Sequence, residues 1–213
     1  MREKMTRIRA LLAVSVATIS MACFAEDGAD TLVSRIYTSG GTTLYCQVPF
    51  AANDRGVRVD AIYGSHLILR HFNCITSRQC EKKPAYAAVA NDLHNLYPIQ
   101  RSVEIDRRGS QFGDLPPDSR QSDCGYKLSF QTFEPPDHAK GNVARAVLYM
   151  HKQHNLPLVG TLEMYQRWHR LDPADADEKA RNDNIARVQG NRNTYIDNPD
   201  LVDRLSNMNN FGR

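Results

Sequence analysis

Two side chains stand where hydrolytic chemistry would need them. His66 follows an alternating stretch, Gly56 to Tyr63, in which Val57, Val59 and Ala61 fall on one side of a strand with charged residues between them. Glu104 lies on a short helix expected after Pro98. A histidine at the end of a strand can take a proton from water, and a carboxylate on a following helix can hold a hard divalent cation. With a further positive charge near the leaving oxygen, they make the set that metal-assisted hydrolysis of a phosphate ester requires. On spacing alone, a histidine after a strand is more often a polar surface residue.

The cysteines and the charge set the compartment and narrow the partners. The chain opens with Arg2, Lys4, Arg7 and Arg9 against Glu3, then an apolar run from Ala10 to Phe24 too short to span a bilayer, and then Ala25 before Glu26-Asp27-Gly28. This reads as a signal peptide over residues 1–25, with a mature domain over 26–213 that is periplasmic or secreted. Acylation of Cys23 is the weaker reading, because Ser20 stands where such sites carry a branched apolar residue. The leader carries a net charge of +3, and so does the whole chain, so the mature part is near neutral and its overall charge does not argue for nucleic acid. A phosphate-binding surface must therefore come from local clusters. The candidates are Arg70, Arg78, Lys82 and Lys83, or Arg101 with Arg107 and Arg108, the last two being the expected substrate contacts.

Removing Cys23 leaves Cys46, Cys74, Cys80 and Cys124, an even set that reads as two disulfides with three pairings open. Cys74 with Cys80, closing a short loop, and Cys46 with Cys124 are favoured. Zinc is disfavoured because no CxxC pair is present.

The elements that must position these groups are mostly helical. Tyr86, Val89, Ala90 and Leu93 recur at helical spacing before Leu96-Tyr97-Pro98, and a second short helix is expected after Pro98 with Ile99 and Val103 inward. Residues 114–123 read as a loop, and Tyr126, Leu128 and Phe130 alternate as a strand stopped by Pro135-Pro136. A helix over 142–153, another capped by Thr161 with Leu162, Tyr165 and Trp168 inward, and a fourth capped by Asp172 complete an α+β single domain. The spacing of Trp168 favours core packing over stacking on a base.

Several runs resemble the bacterial endonuclease I family. They are Thr43-Leu44-Tyr45-Cys46, Asn91-Asp92-Leu93-His94-Asn95-Leu96-Tyr97-Pro98, Gly141-Asn142-Val143-Ala144-Arg145-Ala146 with Tyr149-Met150, Asn155-Leu156-Pro157-Leu158, and Val188-Gln189-Gly190-Asn191-Arg192-Asn193 with Ile196-Asp197. They occur in the family's order from about Thr43 to Pro199. The resemblance implies a ββα-metal (His-Me finger) core surrounded by helices, one Mg²⁺ ion, and cleavage of DNA, and of RNA, without strong sequence preference. It implies a phosphate contact for Arg78, and a packing role is the favoured reading of His94 and Asn95.

The site region departs from the family's pattern. Where the family reads Glu-His followed two residues later by Pro, this chain reads Ser65-His66 and Leu69, and where the family has a Val-Asn pair on the following helix it has Val103-Glu104. A shorter loop before Cys74 leaves His71 as a second candidate for the base. Two readings of Glu104 follow. In one it supplies the missing carboxylate to Mg²⁺. In the other it pairs with Arg101 and Arg108 on its own helix, and the chain is a catalytically inactive relative that binds nucleic acid or an envelope partner.

Overall fold

A computed structural model describes residues 27–206, so the expected signal peptide and most of the expected leader junction lie outside the described residues. The strand read from the Val57, Val59, Ala61 alternation forms as β3 (Val57–Ala61), after two short paired strands, β1 (Gly41–Thr42) and β2 (Pro49–Phe50). Its partner is β4 (Leu96–Gln100), antiparallel, with Val57 opposite Gln100 and Ala61 opposite Leu96. Pro98 sits inside β4 opposite Val59; its carbonyl accepts from the Leu44 amide at 2.9 Å on the side away from β3, so its missing N–H removes no bond between the two strands. The second short helix therefore begins later than its periodicity suggests: Ile99 is a strand residue, and α5 spans Arg101–Arg107. The amide of Arg101 donates to the Gly56 carbonyl at 2.8 Å and closes the corner, so α5 follows β4 directly and packs across both strands.

Short helices lie between β3 and β4. After α1 (Gly28–Thr31) near the start come α2 (Ser65–His71), α3 (Ser77–Cys80) and α4 (Pro84–Ala90). Pro84 starts α4 at a position where its missing N–H is already unpaired. Helix α2 was not legible in the sequence; its seven residues are too few to show a period. A three-stranded sheet follows, ordered β5 (Gln111–Phe112), β7 (Thr132–Glu134), β6 (Lys127–Ser129). Tyr126 and Phe133 stack within it, whereas Phe130 falls out of the expected alternation onto the β6–β7 turn, with φ of 50° and 93% exposure. Both favoured disulfides are formed, Cys46–Cys124 and Cys74–Cys80.

The core is organised by α6 (Asp137–His154), which buries Val143, Ala144, Ala146, Val147, Leu148 and Met150 and ends at Asn155 in the left-handed conformation. Helix α7 (Leu162–Leu171) packs against it, capped by Thr161 as expected, with Leu162, Tyr165 and Trp168 inward. Gly141 permits the close approach: a Cβ there would lie 1.8 Å from the Asp172 carbonyl oxygen. Helix α8 (Ala176–Gln189) is capped by Asp175, not Asp172. Asp172 instead turns back and accepts from the Gly141 amide at 2.8 Å, tying the loop after α7 to α6. The short helices α9 (Thr194–Asp197) and α10 (Asp200–Asp203) finish the described chain.

Asp172 gives a testable pH signature. Burial outweighs the Gly141 hydrogen bond and the neighbouring Arg145, and its pKa rises from 3.8 to about 6. A raised folded-state pKa means that its contribution to stability is fully present below about pH 4 and is lost as pH rises through about 6. Asp172→Asn keeps an oxygen for the Gly141 amide. It is expected to match the parent at pH 4 and to exceed it at pH 7 by on the order of 1 kcal/mol, the half-exposed position reducing the full effect. Urea melts at the two pH values measure this; a variant less stable at pH 7 would show that the charge is needed.

Candidate active site

The open end of the β3–β4–α5 unit is where the sequence placed the chemistry. Strand β3 ends at Ala61, and the two residues that follow, Ile62 and Tyr63, are 1% and 2% exposed. Asn95, fully buried, fixes this turn through both backbone groups of Tyr63: it accepts from the Tyr63 amide at 2.6 Å and donates to the Tyr63 carbonyl at 3.1 Å. The Tyr63 hydroxyl donates to the Pro157 carbonyl at 2.9 Å, and burial pushes its pKa up to about 12. The position at the end of the strand is therefore a tyrosine turned into the core. The sequence held the clue in Asn95, but its target became visible only when β4 paired with β3.

His66 stands further on, in the first turn of α2, and is exposed. Its ring folds back over Gly64, where an added Cβ would meet Cε1 at 2.9 Å and Nδ1 at 3.0 Å. Its pKa is lowered from 6.5, first by partial burial and then by the charges of Arg107 and Arg70, so the imidazole is neutral and able to accept a proton at pH 7. His71 lies at the far end of α2, with its ring edge against Phe72. Arg78 is exposed on α3, inside the short loop closed by Cys74–Cys80.

The expectation that Arg107 contacts substrate is corrected by its burial. It is 4% exposed and donates to the Ser110 carbonyl at 2.6 Å and the Ile62 carbonyl at 2.9 Å, with its Nε 3.4 Å from Asp60 and its guanidinium 4.0 Å over the Phe112 ring. It ties α5 to the end of β3, and a phosphate on the surface does not reach it. Arg108, one residue on, is exposed.

Glu104 is engaged by two arginines. Arg108 Nη2 donates to its Oε1 at 3.1 Å, and Arg58 Nε lies 3.8 Å from its Oε2. The second partner comes from β3, not from Arg101, because the strand register sets Arg58 opposite Ile99, beside the start of α5. A Mg²⁺ ion would need oxygen donors with free lone pairs converging on one point. Here both Glu104 oxygens face guanidiniums, and Ile62 and Tyr63 bring no carboxylate to the strand end. Asp60, close enough to feel the charge of Glu104, is half-buried, is turned to Tyr45 and Arg107, and has its pKa raised, above all by loss of solvation. These residues do not fit a divalent ion.

His94, 1% exposed, belongs to a buried network around Asp92, which also accepts from Tyr149, His154 and Gln189. Trp168 is 1% exposed and donates to Asp114. Both pack the core.

Comparison with known proteins places this arrangement. A family model described as Endonuclease I matches residues 66–200, from the His66 turn of α2 to the start of α10. The chain belongs to the endonuclease I family. Among its relatives are an extracellular deoxyribonuclease of Aeromonas hydrophila, 34% identical over 125 residues that cover 56% of this chain and 54% of that protein. Endonuclease-1 of Buchnera aphidicola subsp. Acyrthosiphon pisum is 32% identical over 123 residues, covering 56% and 49% of the two chains. An extracellular ribonuclease of Bacillus amyloliquefaciens is 28% identical over 145 residues, covering 56% and 47%. The chain spans about half the length of the curated relatives it matches. The endonuclease I match begins at His66, so it takes in Leu69 and the Val103–Glu104 pair, whereas β3, the Ile62–Tyr63 turn, Ser65 and the Thr43–Cys46 run precede it.

Proposed function

We propose that the protein is an exported nuclease, periplasmic or secreted, that hydrolyses phosphodiester bonds of DNA and also of RNA. The endonuclease I match over residues 66–200 carries this reading, supported by relatives named for extracellular and periplasmic deoxyribonuclease and for extracellular ribonuclease activity. No described helix is long and apolar enough to cross a membrane. His66, neutral at pH 7, would accept the proton of the water that attacks phosphorus. Arg78 would steady the charge on the leaving oxygen, and Arg108 would contact a neighbouring phosphate. No step is assigned to a metal ion. Nicking of supercoiled plasmid, and loss of a structured RNA, by the oxidised protein would test the reading; an intact substrate after prolonged incubation with folded protein would end it.

A second reading is favoured by the pairing of Glu104 with Arg58 and Arg108 and by the burial of Tyr63 at the strand end. In it the family scaffold binds nucleic acid without cutting. A gel shift with no accompanying nicking is its expected result.

A further inference from the structure

We propose that Arg58 and Arg108, fixed on the two sides of Glu104, take the place of a divalent ion at the β3–α5 corner, so that the protein grips a nucleic-acid phosphate without any metal. The inference rests on the reading that nucleic acid is the ligand, and holds whether or not the bound strand is cut. Its basis is a mismatch: the scaffold's family implies a cation at this corner, and the side chains present supply that charge themselves.

The geometry is built for it. Arg58 donates from Nη1 to the Arg55 carbonyl at 3.1 Å and to the Val57 carbonyl at 2.8 Å, which fixes its guanidinium against its own strand. Its Nε lies 3.8 Å from Glu104. Arg108, the residue that ends α5, reaches the other carboxylate oxygen. One carboxylate between two guanidiniums leaves a net positive charge at the corner. Each guanidinium offers five N–H donors in a planar fork, most of which are not used within the protein. The Arg58 and Arg108 side chains are 37% and 73% exposed, so the remaining donors are open to a phosphate. A divalent ion approaching the same carboxylate meets two like charges within about a Debye length and is repelled.

The test uses the full mature protein with both disulfides intact. Fluorescence anisotropy with a short DNA duplex, in EDTA and in Mg²⁺ at matched ionic strength, is expected to give affinities within about twofold of each other. The Arg58→Gln, Arg108→Gln double variant is expected to lose about tenfold or more in affinity, with the salt dependence flattened by about two charges. Glu104→Gln removes a negative charge from the phosphate's side and should bind DNA more tightly, the opposite of what loss of a metal ligand would do. In parallel, Mn²⁺ titration followed by electron paramagnetic resonance should give the same bound ion count for the parent and Glu104→Gln. DNA affinity that appears only with Mg²⁺, together with an Mn²⁺ site lost in Glu104→Gln, would overturn the inference and leave the nucleic-acid reading standing. Absence of DNA affinity in both buffers would overturn the two together.

Discussion

His66→Ala is expected to lower phosphodiester cleavage by about 10²–10⁴-fold, the usual contribution of a general base, while leaving DNA affinity nearly unchanged. The side chain is exposed at the start of α2, so its removal costs little packing and the folded state is retained. The pH profile adds a second, independent readout. Partial burial, Arg107 and Arg70 all hold the imidazole below the usual histidine range. The rate should therefore rise along an acid limb centred below pH 6.5 and stay flat through neutrality. Arg70→Gln removes one of the charges holding that limb down and should move it to higher pH. Should His71→Ala abolish cleavage and His66→Ala leave it intact, the base would be assigned to the far end of α2.

Arg145→Met is expected to cost about 3–5 kcal/mol, the largest loss of stability anticipated for any single side chain in the fold. Arg145 is fully buried, and its Nε donates to both oxygens of Glu178, at 2.8 and 3.0 Å, from α6 to α8. Nη1 donates to the Asp172 carbonyl at 2.8 Å and meets His169 Nδ1 at 3.1 Å. One guanidinium thus joins three helices and the loop between two of them. Removing it leaves Glu178, itself 3% exposed, charged and without its partner in a low-dielectric interior. For a domain of this size the loss should lower Tm by on the order of 10 °C. The double variant Arg145→Met, Glu178→Leu removes both charges and should recover much of the stability, because replacing a buried pair by apolar groups is close to neutral. A double variant no more stable than the single one would show that the other hydrogen bonds of Arg145 dominate.

The two predictions rest on residues of different legibility. Arg145 lies in a run that resembles the endonuclease I family, yet its partners are 24 to 33 residues away and reach it only when α7 and α8 fold onto α6. His66 was identified by its position after an alternating strand, but the strand stops at Ala61, and a seven-residue helix intervenes in what had read as a simple strand-to-loop exit. Asp172 fitted the sequence signature of an N-cap before proline. It was drawn instead to the Gly141 amide, left accessible because that residue has no side chain.

By itself the sequence determined the local and patterned features: the β3 alternation, the inward face of α7 with its Thr161 cap, the long apolar run of α6 and the family. Each depends on periodicity, on a side chain acting within a few residues, or on motif order, and all of these are written along the chain. What the tertiary structure alone decided was which charges meet. The register of β3 with β4 brought Arg58 to Glu104 and Asn95 to Tyr63, and the packing of one face of α5 turned Arg107 from a surface cation into a strut. Ion pairs and buried hydrogen bonds act through space over a few ångströms, so no spacing along the sequence specifies them until the strands are in register and the helices packed.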